Sequence, residues 1–282
     1  MLNVDLELAV KDKVSRYDLS ASTYSPDGRI FQIEYAQKAV ESAGTVIAIK
    51  CKDGIVLGIE KLIDSKMLLN GDESSTNRRI FTIDEHIGLA TAGLVADGRH
   101  LANRAREEAS NFNDTYRFNC PLKVTLSDRL SLYISAYTLY SSVRPFGGIN
   151  HLGWNRSGWS FHLHDRTFWC ILGYHGTAIG KGRQLARTEI EKLNLGELSC
   201  EEGVDKVAEI IYKVHDDSKD KDFEMELAWI GPQSSNKFQL VPKELKEVSL
   251  LFLFYCLAST NYDKPLRFSS FSLWTCWFQL DP

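Results

Sequence analysis

The sequence predicts an α+β fold in which helices cover two stacked β-sheets. Three observations carry this reading. β-rich runs lie on both sides of a central helical region, at 45–92 and again at 223–241. Amphipathic helix patterns come in pairs between them, and each pair must bury its apolar stripe against another layer. No internal repeat and no linker divides the 282 residues, a length that can enclose a sizeable core.

The first element follows Ser25-Pro26-Asp27-Gly28, a turn in which Pro26 presets φ and Gly28 tolerates positive φ. Beyond it Ile30, Ile33 and Val40 recur at near-helical spacing, as do Phe31, Tyr35 and Ala39, which predicts an amphipathic helix of about three turns. Two β-rich runs, Thr45–Cys51 and Ile55–Glu60, flank Asp53-Gly54, the strongest short hairpin signal. A second hairpin pairs Arg79–Ile83 with His86–Ala92, and Gly93 ends it. Val95–Phe112 reads as a helix. So does Pro121–Tyr140, with Leu122, Leu126, Leu130, Tyr133 and Tyr137 along one face. Two more amphipathic helices follow at Gly182–Leu195, where Arg187 and Glu191 stand at i,i+4, and at Glu201–Val214. Phe223–Ile230 alternates Phe, Met, Leu and Trp against Glu224, Glu226 and Ala228, the period of a half-buried strand. A turn at Gln233–Asn236 leads to a closing strand, Phe238–Val241.

Composition bounds the function. A net charge of −4, 44% hydrophobic and 25% charged residues are ordinary globular values. No basic excess points to nucleic acid, and no Lys/Arg run points to a membrane surface. The longest apolar run, Leu250–Ala258, is shorter than the ~20 residues a membrane span needs. Met1–Asp18 lacks the basic start and apolar core of a signal peptide. The six cysteines are scattered without a C-x-x-C pair, which reads as free thiols in a reducing compartment. The expectation is a soluble intracellular protein.

The wider signature around the first helix is Tyr17-Asp18, then Ser25-Pro26-Asp27-Gly28-Arg29, then Phe31-Gln32-Ile33-Glu34-Tyr35-Ala36. It is followed in order by KCKDGIVLGIEKLIDSK, AGLVADGRHLANRAREEASNF, YTLYSSVRPFG, TAIGKGRQLARTEIEKL and HDDSKDKDFEMELAWIG. These stretches cover most of 17–247 and closely resemble the proteasome alpha subunits. The resemblance implies a four-layer αββα sandwich of the N-terminal-nucleophile hydrolase class. It implies a non-catalytic place in a heteroheptameric alpha ring of the 20S core, in the cytoplasm and nucleus. The implied partners are the other alpha subunits, the beta ring and regulatory particles or activators. The helix after the turn would cover the cleft that catalytic relatives use. Tyr17, Asp18, Pro26 and Tyr35 match the cluster that holds the gate open when an activator docks, and Arg79 falls at the activator pocket. No cofactor and no metal are implied.

One feature argues for catalysis. Gly44-Thr45 precedes a strand, and catalytic relatives free a threonine by cleaving at such a bond, using its α-amino group as base. Counted back from Asp53-Gly54, however, the nucleophile position falls on Gly44, and a one-residue shift on a strand turns a side chain to the other face. The lysine position carries Arg79, which does not give up its proton. The acid position carries Glu60 in place of Asp. Thr45 then reads as a β-branched strand residue. Elsewhere, His162, His164, Asp165, Cys170 and His175 have metal-like composition but no standard zinc spacing. Asp216, Asp217, Asp220 and Asp222 read as a solvated loop. Arg144-Pro145-Phe146-Gly147 reads as a helix end entering a strand.

Three segments depart from the pattern. Residues 1–16 replace a short glycine-containing gate segment with a longer charged one. Residues 148–172, rich in Trp and His and poor in alternation, resemble translation in a shifted reading frame, and two core strands are expected to be compromised there. Residues 248–282 form an apolar tail without periodicity, a liability for aggregation if exposed.

Overall fold

The computed structural model describes residues 17–63, 67, 78–154, 159–163, 171–215, 222–242 and 244–245. The readings at 1–16, at His164, Asp165 and Cys170, at Asp216, Asp217 and Asp220, and along 248–282 lie outside the described residues.

The chain starts with a loop and helix α1 (Phe31–Glu41). Strands β1 (Val46–Lys50) and β2 (Ile55–Leu62) form the hairpin around Asp53-Gly54, and β3 (Ile80–Asp84) and β4 (Ile87–Gly93) form the next. Helix α2 (Val95–Tyr116) continues one turn past its predicted end and stops at Arg117, which takes φ +61°. The long helix expected at Pro121–Tyr140 is divided. A π-helical turn (Leu122–Leu126) leads into α3 (Ser127–Ala136). Leu122, Leu126, Leu130 and Ile134 all stay buried across that junction, so the apolar face survives the change of helix type.

Strands β5 (Gly148–Trp154), β6 (Trp159–Leu163), β7 (Ile171–Tyr174) and β8 (Gly176–Ile179) occupy the region that shows no strand period. β5 pairs with β4 without a break, from Gly93↔Gly148 to Ile87↔Trp154. The expected loss of strands at 148–172 is therefore corrected for the backbone. Strand pairing is made by main-chain groups, and a well-formed neighbour dictates it even where alternation is weak. Helices α4 (Arg183–Glu191) and α5 (Cys200–Val214) follow, then β9 (Phe223–Ile230), a short 3₁₀ turn (Pro232–Ser234) and β10 (Gln239–Leu240). The i,i+4 pairing proposed for Arg187 gives way to a tertiary bond: Arg187 Nε donates to Ala178 O at 3.2 Å.

Two five-stranded antiparallel sheets result, ordered β10-β9-β2-β1-β8 and β3-β4-β5-β6-β7. Val46, Ala48, Ile55, Leu57 and Ile59 of the first sheet meet Ile80, Ala90 and Ala92 of the second in one buried cluster. On the other face of the first sheet, Ile47, Ile49 and Val56 pack on Ala186, Ile190, Val204, Val207 and Ile211 of α4 and α5. On the other face of the second, Phe81, Ile87 and Leu89 pack on Ala102, Ala105, Leu126 and Leu130 from α2, the π-helical turn and α3. Both sheets thus bury both faces, and the layers run α-β-β-α. This is the four-layer sandwich expected from the sequence.

Candidate functional site

The site lies where β1 begins and α1 closes the end of the inter-sheet layer. Its entry is the Ser25–Gly28 turn, closed by Gly28 N to Ser25 O at 2.9 Å, with Gly28 at φ +74°. Ser25 is buried, and its hydroxyl accepts from Arg29 N at 3.0 Å. Arg29 then reaches forward to Glu34 with two N–H bonds. Helix α1 packs on β4 and β5 and sends its one fully buried side chain, Val40, into the inter-sheet cluster.

Of the gate residues expected from the resemblance, the structure joins two. Tyr35 Oη donates to Asp18 Oδ2 at 3.3 Å, and Gln32 Nε2 donates to the Asp18 carbonyl. Loss of water around the ring and the nearby Asp18 charge raise the Tyr35 hydroxyl above the ordinary phenol range. Tyr35 remains 40% exposed. Pro26 is exposed in the turn, and Tyr17 is half-buried at the start of the described residues. The bond to Tyr35 comes from Asp18 rather than from either of them. Leu19 and Tyr24 beside them are 83% and 62% exposed, so this face presents apolar groups to its surroundings.

Arg79 stands just before β3, half-buried. Its Nη1 donates to Gly93 O at 3.1 Å and its backbone N–H donates to Glu226 at 3.2 Å. Beside it Lys61, nearly buried, pairs with Glu224 at 3.1 Å and Glu226 at 3.5 Å. The sequence pattern puts Glu224 and Glu226 on the polar face of a half-buried strand. Both are largely covered here, where Lys61 meets them.

Thr45 is 1% exposed. Its amide donates to Glu60 Oε2 at 2.9 Å, and its hydroxyl accepts from Gly182 N at 3.2 Å, on the α4 side of the sheet. Its neighbour Val46 faces the inter-sheet layer instead. Gly44 fills the position before it, and a Cβ there would lie 2.1 Å from the Glu60 carbonyl oxygen. Glu60 carries a second bond that sequence reading misses: His215 Nδ1 at 2.6 Å, with both side chains almost wholly buried. Burial opposes ionisation of Glu60. Its bonds from His215 and from the Thr45 amide and hydroxyl outweigh that and hold the carboxyl below the usual range. A glutamate in a strand core demands some partner, but nothing in the sequence points to a histidine so distant along the chain. His175, one of the metal candidates, is exposed, and Asp222 likewise. No cluster of three metal donors occurs among the described residues.

Two antiparallel sheets between helix pairs, with a helix over the end where β1 begins, define the N-terminal-nucleophile hydrolase fold. Within that class, the "Proteasome subunit" family matches residues 40–230, and the N-terminal signature of the alpha-type proteasome subunits matches residues 17–39. The chain belongs to the proteasome subunit family, in its alpha type. It is 49% identical over 248 residues to the alpha type-3 proteasome subunit of Dictyostelium discoideum, covering 88% of this chain and 98% of that one. It is 52% identical over 232 residues to the alpha type-3 proteasome subunit of Arabidopsis thaliana, covering 82% and 91%. A probable alpha type-7 proteasome subunit of Saccharomyces cerevisiae is 46% identical over 226 residues, covering 78% and 76%.

Proposed function

We propose that this chain is a non-catalytic alpha-ring subunit of the 20S core, in the alpha type-3 place, acting in ring assembly, channel gating and activator docking in the cytoplasm and nucleus. The observation that carries the reading is the seating of Gly44-Thr45. The threonine hydroxyl is held on the α4 side of the sheet by Gly182 N, and Val40 of α1 packs into the inter-sheet cluster. A threonine nucleophile needs its hydroxyl on the inter-sheet side, and this arrangement disfavours that. The Asp18–Tyr35 bond and the exposed apolar groups around it support contact with neighbouring subunits at this face. Arg79 supports activator docking less directly, because its Nη1 is engaged with Gly93; a docked carboxylate would recruit the guanidinium from that bond.

Native mass spectrometry of the chain purified from its own cells tests the reading. A full-length chain inside a large ring assembly with other alpha subunits is expected. A mature chain beginning at Thr45 would instead support an autoprocessed threonine protease, and a monomer would support a fold relative that works outside any ring.

A further inference from the structure

We propose that Cys51 and Cys200 form a buried dithiol that closes to an intramolecular disulfide when a hydroperoxide reaches it, tying the β1–β2 turn to the first turn of α5. Cys51 directly follows β1 and is 2% exposed; Cys200 opens α5 and is fully buried. Both belong to the apolar cluster between the first sheet and its helices. The Cys200 thiol donates to Ile230 O at 3.8 Å, the strand end beside the turn. The turn and the helix are clamped together around them. Cys51 N donates to Gly54 O at 2.8 Å, Lys52 N to Leu198 O at 2.9 Å, and Cys200 N to Asp53 Oδ1 at 2.9 Å. The sulfurs sit against glycines: a Cβ on Gly203 would lie 2.6 Å from Cys51 Sγ, and one on Gly54 would lie 2.7 Å from Cys200 Sγ. Each sulfur thus sits against a glycine of the other cysteine's element, and the clamp of turn and helix holds the two side chains on one small patch of the core, where one bond can join them.

The same surroundings keep the pair reduced while the turn is seated. The neighbouring Cys51, burial and the nearby Asp53 push the Cys200 thiol far up, so little thiolate forms. Lys52 at the tip of the turn is exposed, and in this proposal the peroxide enters where the turn parts from α5, beside Cys51. The Cys51 thiolate then attacks one peroxide oxygen. An S–O bond forms, the O–O bond breaks, and the leaving oxygen departs as water after taking a proton. The sulfur is oxidised by two electrons and the peroxide is reduced. The Cys200 thiolate next attacks the sulfenic sulfur; the S–S bond forms and the second oxygen leaves as water. Two thiols and one hydrogen peroxide give one disulfide and two waters.

The test uses the full-length chain, reduced, freed of reductant and exposed to hydrogen peroxide under native conditions. Remaining thiols are then alkylated in denaturant without reductant, and the digest is read by mass spectrometry. The expected product is a cross-linked pair of peptides carrying Cys51 and Cys200, lighter than the two free peptides by two hydrogens and abolished by dithiothreitol. Cys120, buried in a separate cluster between β3–β4 and α2–α3, should be recovered alkylated. The Cys200→Ser chain should yield no cross-link from Cys51. Recovery of Cys51 and Cys200 as alkylated thiols, or cross-links from either to any other cysteine, overturns the proposal.

Discussion

His215 shows how much one buried contact can decide. Its ring closes on Glu60 at 2.6 Å and stands beside Phe223 at 4.4 Å between centroids. His215→Ala would leave a buried carboxylate with its Thr45 bonds alone, and the expected loss is about 3–5 kcal/mol, read by urea denaturation at neutral pH. Glu60→Gln keeps the shape and removes the charge, so it should cost less. Acidity acts on the same glutamate. Glu60 and Asp97 both ionise more easily in the fold than in the unfolded chain. Burial opposes ionisation at Asp97, but Arg144 and the Gly147 amide outweigh it. A carboxyl depressed by folding contributes stability that is complete above its unfolded value and lost as pH falls through the lower folded value. Stability should therefore hold steady down to the ordinary carboxyl values of 4.5 for Glu60 and 3.8 for Asp97, then fall as pH drops further. In the Glu60→Gln chain that fall should be shallower, and equal slopes would show that Glu60 does not take part.

At the scale of elements, the capping of α5 offers a clean test. Ser199 Oγ accepts from Glu202 N at 3.3 Å, and Glu202 returns the bond to Ser199 N at 2.9 Å. Ser199→Ala should cost about 1 kcal/mol, measured by thermal or chemical unfolding, without change in fold. The Ser-x-x-Glu spacing stands in the sequence and places the helix start at Cys200, one residue ahead of the start that apolar period alone suggests. Other elements divide by the kind of information that specifies them. α1, the hairpin β1–β2 and the helices α4 and α5 are legible because apolar period, Asp-Gly and glycine punctuation all agree locally. β5 to β8 are not, because their partners, β4, β1 and one another, do the specifying. The π-helical turn is likewise invisible, since the apolar spacing from Leu122 to Leu130 suits a continuous α-helix. In the candidate site, Tyr35 and Asp18 are found through a motif, whereas the Glu60–His215 and Lys61–Glu226 pairs join distant strands and helices and leave no local mark.

At the scale of the whole molecule, the proposed ring role sets the N-terminal face, with Tyr35 and Asp18, against neighbouring subunits. Tyr35→Phe removes one exposed hydrogen bond, so the isolated chain should lose at most about 1 kcal/mol. In an assembled particle the same change should weaken activator-stimulated peptide hydrolysis while leaving ring assembly intact; unchanged stimulation would remove Tyr35 from gating. The segments off the family pattern are also testable in the particle. Peptides from 148–172 and 248–282 recovered from the ring would show that the assembly accommodates them.

Gly44 carries a last implication. Any side chain there meets the Glu60 carbonyl, and Gly44→Ala should already cost about 1–3 kcal/mol through overpacking. Gly44→Thr should cost at least as much, because its larger side chain starts from the same Cβ. Under the proposed role the same contact sets a geometric bar: the chain turn that seats the start of β1 against Glu60 has no room at 44 for the side chain that a cleaving relative would carry there.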